Sequence, residues 1–180
     1  MDTDSFLQGP SDQDSKRIRA NFDAQTEAAQ IQLIYTLGRQ HKPAHFDLLI
    51  QLLEHAQGEV RCAIIDALTH DPERALPILV TELQHPDLVV RWVASGLLSN
   101  LHDIRTVPAL LGCLTSDPDS DVRINAALAL GHIGDVRALP ALEQVTRHDH
   151  SVGRHGHAVH TIAAAAITEI LQTQTRRISE

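Results

Sequence analysis

Val-Arg followed by an apolar helical pattern occurs three times in this chain: EVRCAIIDAL from residue 59, VVRWVASGLL from 89 and DVRINAALAL from 121. Each copy runs into a short polar turn, THDPE, SNLHD or GHIGD, and then into a second apolar segment, RALPILVTEL from 74, RTVPALLGCL from 105 or RALPALEQVT from 137. The Arg opening that segment steps from Arg74 to Arg105 to Arg137, and its Pro from Pro77 to Pro108 to Pro140, by 31 and then 32 residues at both landmarks. A period of this length constrains the fold strongly. A helix pair of this size cannot bury its apolar face alone, so the copies must stack.

Each unit reads as helix, turn, helix. DPDSDVR carries helix-start chemistry, with Asp and Ser side chains able to accept from the first free amides. Pro in the first turn of the second helix costs no hydrogen bond, because that amide has no intrahelical partner. In the second helices apolar residues recur at i, i+3, i+4 and i+7: Leu76, Leu79, Val80 and Leu83, then Val107, Leu110, Leu111 and Leu114. The next copy, with Leu139, Leu142, Glu143 and Thr146, weakens the stripe. Hydrophobic residues make up 43% of the chain but aromatics only 3%, so the core must be built from Leu, Ala, Ile and Val, and no sustained strand alternation occurs. The expected class is all-α.

Looser copies flank these three. QIQLIYTLG from 30 with HFDLLIQLLEHA from 45 follows the same plan with Phe46, Leu49, Ile50 and Leu53 as its stripe, and VHTIAAAAITEILQ from 159 fits a single terminal helix. The expected organisation is a disordered polar tail over 1–15, one α-solenoid of four to five repeats over 16–174, and a C-terminal tail over 175–180.

Fifteen Lys and Arg against 23 Asp and Glu leave a net charge of −8, the wrong balance for gripping phosphates, so nucleic acid is not an expected partner. Cys62 and Cys113 show no CxxC spacing and read as reduced thiols of a cytoplasmic protein. The acidic start, MDTDSFLQGPSDQDS, lacks signal-peptide character, and the apolar run IAAAAI is far too short for a membrane span. No nucleophile–base pairing, phosphate-cradling Gly loop or paired carboxylates stand at a recognisable spacing, so no catalytic residue is expected.

DPDSDVRINAALALGHIGDVRALPALEQV, residues 117 to 145, resembles the HEAT-like repeat of phycobilisome (bilin) lyases and of many other bacterial proteins. The pattern is acidic-x-Val-Arg, Ala-Leu-Gly, then Gly-Asp-x-Arg-Ala-x-Pro-x-Leu, with looser copies over 86–116, 57–85, 25–56 and 150–174. The resemblance implies a right-handed α-solenoid and no single function. HEAT-like iron hydroxylases carry His-Glu pairs as metal ligands, and no His-Glu dipeptide occurs here. HEAT-like DNA glycosylases need a basic groove, which the charge argues against.

In the family the second helices line the concave surface. Aligning the copies gives the candidate partner-binding columns Leu48, Ile78, Ala109, Ala141; Gln51, Thr81, Gly112, Gln144; Leu52, Glu82, Cys113, Val145; and His55, His85, Ser116, His148. Many of these are small or apolar where a solvated helix face would carry Lys and Glu, which suits a helical segment of another protein. The alternative is that they bury against neighbouring helices. The family also pairs its repeated arginines with carboxylates of the inter-helix turns. Arg61, Arg91 and Arg123 would then form a structural ladder with Asp71, Asp103 and Asp135.

Five of the 12 histidines fall within HDHSVGRHGHAVH, residues 148–160. His55, His85 and His148 fall in last turns of second helices, where an imidazolium suits the negative dipole end. The step from Arg123 to its counterpart His160 is 37 residues, so about five extra residues enter as a loop with two glycines. If the last helix began near Gly156, His155, His157 and His160 could hold a metal. A structural seam explains them without one, and no metal is expected.

The expected function is a non-catalytic interaction module, adaptor, scaffold or chaperone-like, that holds another protein on its concave face without a cofactor. The alternative, resting on the resemblance, is a bilin lyase subunit or phycobilisome assembly factor. Cys113, His85, Arg105, Arg137 and His155 to His160 would then hold a bilin.

Overall fold

The computed structural model describes residues 20–40, 43–53 and 56–179. After helical residues 20–23 come α1 (Glu27–Gln40), α2 (Pro43–Leu53), α3 (Gly58–Thr69), α4 (Pro72–Glu82), α5 (Leu88–Leu101), α6 (Val107–Ser116), α7 (Ser120–Ile133), α8 (Leu139–His148) and α9 (Val159–Ser179). Single 3-10 turns, Ile104–Thr106 and Val136–Ala138, lead into α6 and α8. The all-α helical-repeat class is as expected. The chain divides into two compact units, residues 1–78 and 79–180.

The helix starts follow from side-chain chemistry. Asp87 Oδ1 accepts the Val89 amide at 2.8 Å to start α5, and Asp119 Oδ1 accepts those of Asp121 and Val122 at 2.9 and 3.3 Å to start α7. Pro108 and Pro140 sit in the first turns of α6 and α8, where they displace no hydrogen bond. α7 ends on Gly134 at φ 73°, the left-handed conformation a Cβ disfavours, and α5 ends on His102 at φ 51°.

In the first unit, Ile34 and Leu37 of α1, Leu49 and Ile50 of α2, and Ile64 and Leu68 of α3 are buried. α1 and α3 approach so closely at Gly38 that a Cβ there would stand 2.8 Å from Ala67 Cβ. In the second unit, α7 is the central element, packed against α5, α6 and α9. That position explains its run of buried Val122, Ile124, Ala126, Ala127, Ala129 and Leu130. Small residues let three neighbours approach one helix. Asn125 of α7 donates through Nδ2 to the Trp92 carbonyl and to Ser95 Oγ of α5, both at 3.1 Å.

One expectation of extent changes: residues 175–179 continue α9 rather than forming a tail, since helix persists to Ser179. The last helix starts at Val159, in line with the segment VHTIAAAAITEILQ, and not near Gly156 as a site of His155, His157 and His160 would require, because residues 149–158 fold into a hairpin of their own. The expected tail over 1–15 lies outside the described residues, as do His55 and the side chains of Phe46 and Arg74.

Candidate functional site

Helices α6 and α8 are the second helices of adjacent repeats in the second unit and pack side by side. α6, VPALLGCLTS, contains no charged residue. Its Pro108, Gly112, Thr115 and Ser116 are nevertheless exposed, at the spacing of one helix face. Thr115 turns its hydroxyl back onto the Leu111 carbonyl at 2.9 Å, so its methyl group is left to the outside. A Cβ built on Gly112 meets nothing within 4 Å, so the surface above it is open. On α8 the same face carries half-buried Ala141 and exposed Gln144 and His148, with Glu143 and Arg147 joined at 3.0 Å across one turn.

The expected columns separate under this geometry. Gly112 and Gln144 are exposed, Ala109 and Ala141 half-buried, and Thr81 exposed. Gln51 is exposed and Ile78 half-buried on the other unit. Leu48 and the whole column of Leu52, Glu82, Cys113 and Val145 are buried, and so are not available to a partner. The reason is an apolar arc wider than the expected stripe. Each second helix packs on more than one neighbour, so burial extends from Leu110 and Leu114 to Cys113, while Leu111 rotates partly out. Burial also pushes the Cys113 thiol up to about 11, reinforced by the nearby Asp117 carboxylate and partly offset by Arg91, so it stays protonated and inert at neutral pH.

At the end of this face a cleft of about 240 Å³ is lined by His85, Arg91, Gly112, Cys113, Ser116 and Asp117. His85 and Ser116 of one column of the alignment meet Gly112 and Cys113 of two others there. The floor is rigid. Arg91 Nε donates to Asp117 Oδ2 at 2.8 Å, and its Nη1 to the carbonyls of His85 and Pro86 at 2.9 and 3.1 Å. The His85 Nδ1 accepts the Asp87 amide at 3.0 Å. His85 therefore lies beyond the end of α4 and serves the start of α5. His148 does stand in the last turn of α8.

The arginine ladder has other partners than expected. Arg91 pairs with Asp117 and Arg123 with Asp149, Nε to Oδ2, at 2.8 and 2.7 Å, with all four side chains largely buried. Arg123 Nη1 also donates to the Asp117 carbonyl at 2.7 Å, and Arg61 Nη1 to that of Leu53 at 3.0 Å. Each guanidinium thus reaches away from its own helix start to the carbonyl end of the preceding second helix, which removes the conflict with the dipole. Asp103 and Asp135 serve their own turns, accepting the amides and guanidinium groups of Arg105 and Arg137. Those hydrogen bonds hold both carboxyls below the usual range. Asp71 stands directly before α4. The 26-residue spacing shared by both observed pairs was the available signal.

The histidine-rich segment is a docked hairpin. Val152 and Ala158 form an antiparallel bridge, Gly153 N donates to the His157 carbonyl at 2.9 Å, and Val159 N to that of Ser151 at 2.9 Å. Buried Asp121 accepts the Arg154 amide at 3.1 Å and its Nε at 2.9 Å, while the guanidinium lies 5.4 Å from the centroid of Trp92. Gly153 is required there. A Cβ would collide with the Asp121 carboxylate and stand 2.8 Å from Ile124 Cδ1. His160 meets His150 edge to face at 4.8 Å, whereas His155 and His157 stay exposed on the hairpin. The groups expected to hold a bilin are accordingly split. Arg105 and Arg137 precede α6 and α8, the histidines follow α8 about 15 Å along its axis, and Cys113 is buried.

The first unit carries a separate open groove, about 690 Å³, lined by Ile31, Tyr35, Glu59, Cys62, Ala63 and Asp66, which the sequence reading did not identify.

Residues 76–163 match the family model described as HEAT repeats, in line with a HEAT-like repeat protein. No curated protein matches the chain significantly.

Proposed function

We propose that this protein is a non-catalytic protein-interaction module, adaptor or chaperone-like, that holds a helical segment of another protein on its second-helix face. HEAT repeats are commonly protein-interaction modules. The observation that carries the reading here is α6. Ten residues without a charge form an exposed helix face whose Thr115 hydroxyl is turned inward and whose Gly112 leaves space for an incoming backbone or side chain. A merely solvated helix face would carry Lys and Glu. The contacting residues in this reading are Ala109, Gly112, Ser116, Ala141, Gln144 and His148.

Affinity capture with the tagged full-length protein from its native lysate tests this, comparing wild type with Gly112→Arg/Gln144→Arg. Both positions are exposed and Gly112 has open space, so the variant retains its melting temperature. The expected result is one stoichiometric partner lost in the variant. Retention of that partner, or wild-type protein that captures nothing above background, contradicts the reading.

The bilin lyase subunit is the competing reading. The split of its candidate ligands between the two ends of the second helices weighs against it. Visible absorbance in protein co-produced with a bilin would reverse that weighting.

A further inference from the structure

In the second unit four side chains hold the 149–158 hairpin. Asp121 accepts the Arg154 amide at 3.1 Å and its Nε at 2.9 Å, and the Arg154 guanidinium lies over Trp92 of α5. Gly153 passes close to Ile124, and the Ser120 hydroxyl donates to the Val152 carbonyl at 3.2 Å. The start of one first helix and a residue of the first helix beside it thus grip an arginine that follows a glycine.

The same four positions recur in the first unit. Val60-Arg61 of α3 matches Val122-Arg123 of α7, so Gly58, Glu59 and Cys62 stand where Ser120, Asp121 and Ile124 stand. α1 meets α3 at Gly38 and Ala67 as α7 meets α9 at Gly131 and Ala166, with a built Cβ 2.8 and 3.0 Å from the alanine Cβ. Seven residues before these glycines lie Ile31 and Ile124, and the step from Arg91 to Arg123 carries Ile124 back to Trp92. Ile31 therefore holds the position of Trp92. Ile31, Gly58, Glu59 and Cys62 all line the open groove of about 690 Å³ between α1 and α3.

Where the two sets differ, the first unit is the roomier. A Cβ built on Gly58 meets nothing within 4 Å, and Cys62 is smaller than Ile124 and exposed. Glu59 is exposed and joins no ion pair among the described residues. No cation lines the groove. Its second carboxylate, Asp66, faces the Tyr35 hydroxyl, and Arg39 and His70 stand beyond that pair, away from Glu59. The groove is apolar along Ile31 and Ala63 and anionic at Glu59.

We propose that the groove between α1 and α3 binds an extended, glycine-arginine-bearing segment of a partner protein, held at Glu59 as Arg154 is held at Asp121. Glu59 accepts the incoming guanidinium and the backbone amide of the same residue, the charge-assisted arrangement of the hairpin. The aliphatic stem of that arginine lies along Ile31 and Ala63. The protein's own hairpin shows what kind of segment covers such a surface, and the unpaired Glu59 gives the sign of charge it carries. This groove belongs to first helices of the first unit, so the inference does not depend on the face of α6 and α8.

The test is selection of a phage-displayed random peptide library on the full-length protein, followed by titration of a recovered peptide by fluorescence anisotropy. The expected result is enrichment of Arg directly after Gly. Binding weakens as salt rises, and by about tenfold in Glu59→Gln, the loss of one charge-assisted hydrogen bond. That variant alters one exposed side chain, and a melting temperature equal to wild type shows that it folds. The bound peptide also protects Cys62 from a maleimide, and Gly112→Arg/Gln144→Arg leaves its affinity unchanged. No recovered peptide, recovery without cationic enrichment, equal affinity for Glu59→Gln, or Cys62 labelled at its free rate overturns the proposal. Binding that appears only in Lys16→Gln/Arg17→Gln/Arg19→Gln would also overturn it, assigning the groove to the chain's own basic segment.

Discussion

Arg123 shows how one residue joins two repeats. It bonds the Asp149 carboxylate, the Ser151 hydroxyl and the Asp117 carbonyl, so its planar fork joins the end of α6 to the start of the 149–158 hairpin. Arg123→Ala leaves Asp149 largely buried without its cation, and such losses cost about 3 kcal/mol. The check is chemical denaturation, where the midpoint falls at constant slope. Burial alone would raise the Asp149 carboxyl, but hydrogen bonds from Arg123 and Ser151 outweigh that and hold it below its ordinary value of 3.8. A depressed native value gives stability that is complete above the unfolded value and is lost as pH falls through the native one. Melting temperature therefore drops between about pH 5 and pH 3, and drops less in Asp149→Asn. The two cysteines separate by the same physics. Exposed Cys62 reacts with a maleimide at neutral pH, while Cys113 reacts only after unfolding, giving one label per native chain. The existence of the arginine column was legible in the sequence. Its partners were not, because the guanidinium reaches 26 residues along the chain, a spacing that only stacking explains.

At the scale of elements, the repeat predicted both helices of each unit and the prolines at the starts of α6 and α8, because local capping and apolar period agree there, whereas Pro77, expected in a first turn, lies inside α4, which already begins at Pro72. It erred where tertiary packing decides. One extra packing neighbour widened the buried arc of the second helices and took Leu52, Glu82, Cys113 and Val145 out of the surface. Five additional residues before the last helix read as a loose histidine loop, whereas backbone pairing and the Asp121 carboxylate fix it as a hairpin. No local signal links Asp121 with Gly153 and Arg154, which lie more than 30 residues on. The chain's single tryptophan, Trp92, lies under Arg154 and reports this docking. Gly153→Ala is expected to displace the hairpin and shift the Trp92 emission to the red, with a loss of about 1–3 kcal/mol in stability from the forced contact. Unchanged emission in that variant would show that the hairpin does not need the close approach.

For the molecule as a whole, repetition of one helix–turn–helix unit explains why so plain a composition folds at all. Apolar residues other than aromatics fill the space between stacked helices, and small side chains on α7 let three neighbours share it. Amides of α7 are expected to exchange slowest in native-state hydrogen exchange, since this helix is covered on several sides. The stack leaves one second helix, α6, uncharged and open to the outside. The measurement that bears most directly on that face is photo-crosslinking in cells, with benzoylphenylalanine placed in turn at Gly112, Gln144 and Thr168, all exposed. Binding on the second-helix face predicts one adduct of the same mass from Gly112 and Gln144 and none from Thr168 on the outside of α9. Adducts from Thr168 alone, or no adduct from any of the three, would contradict it.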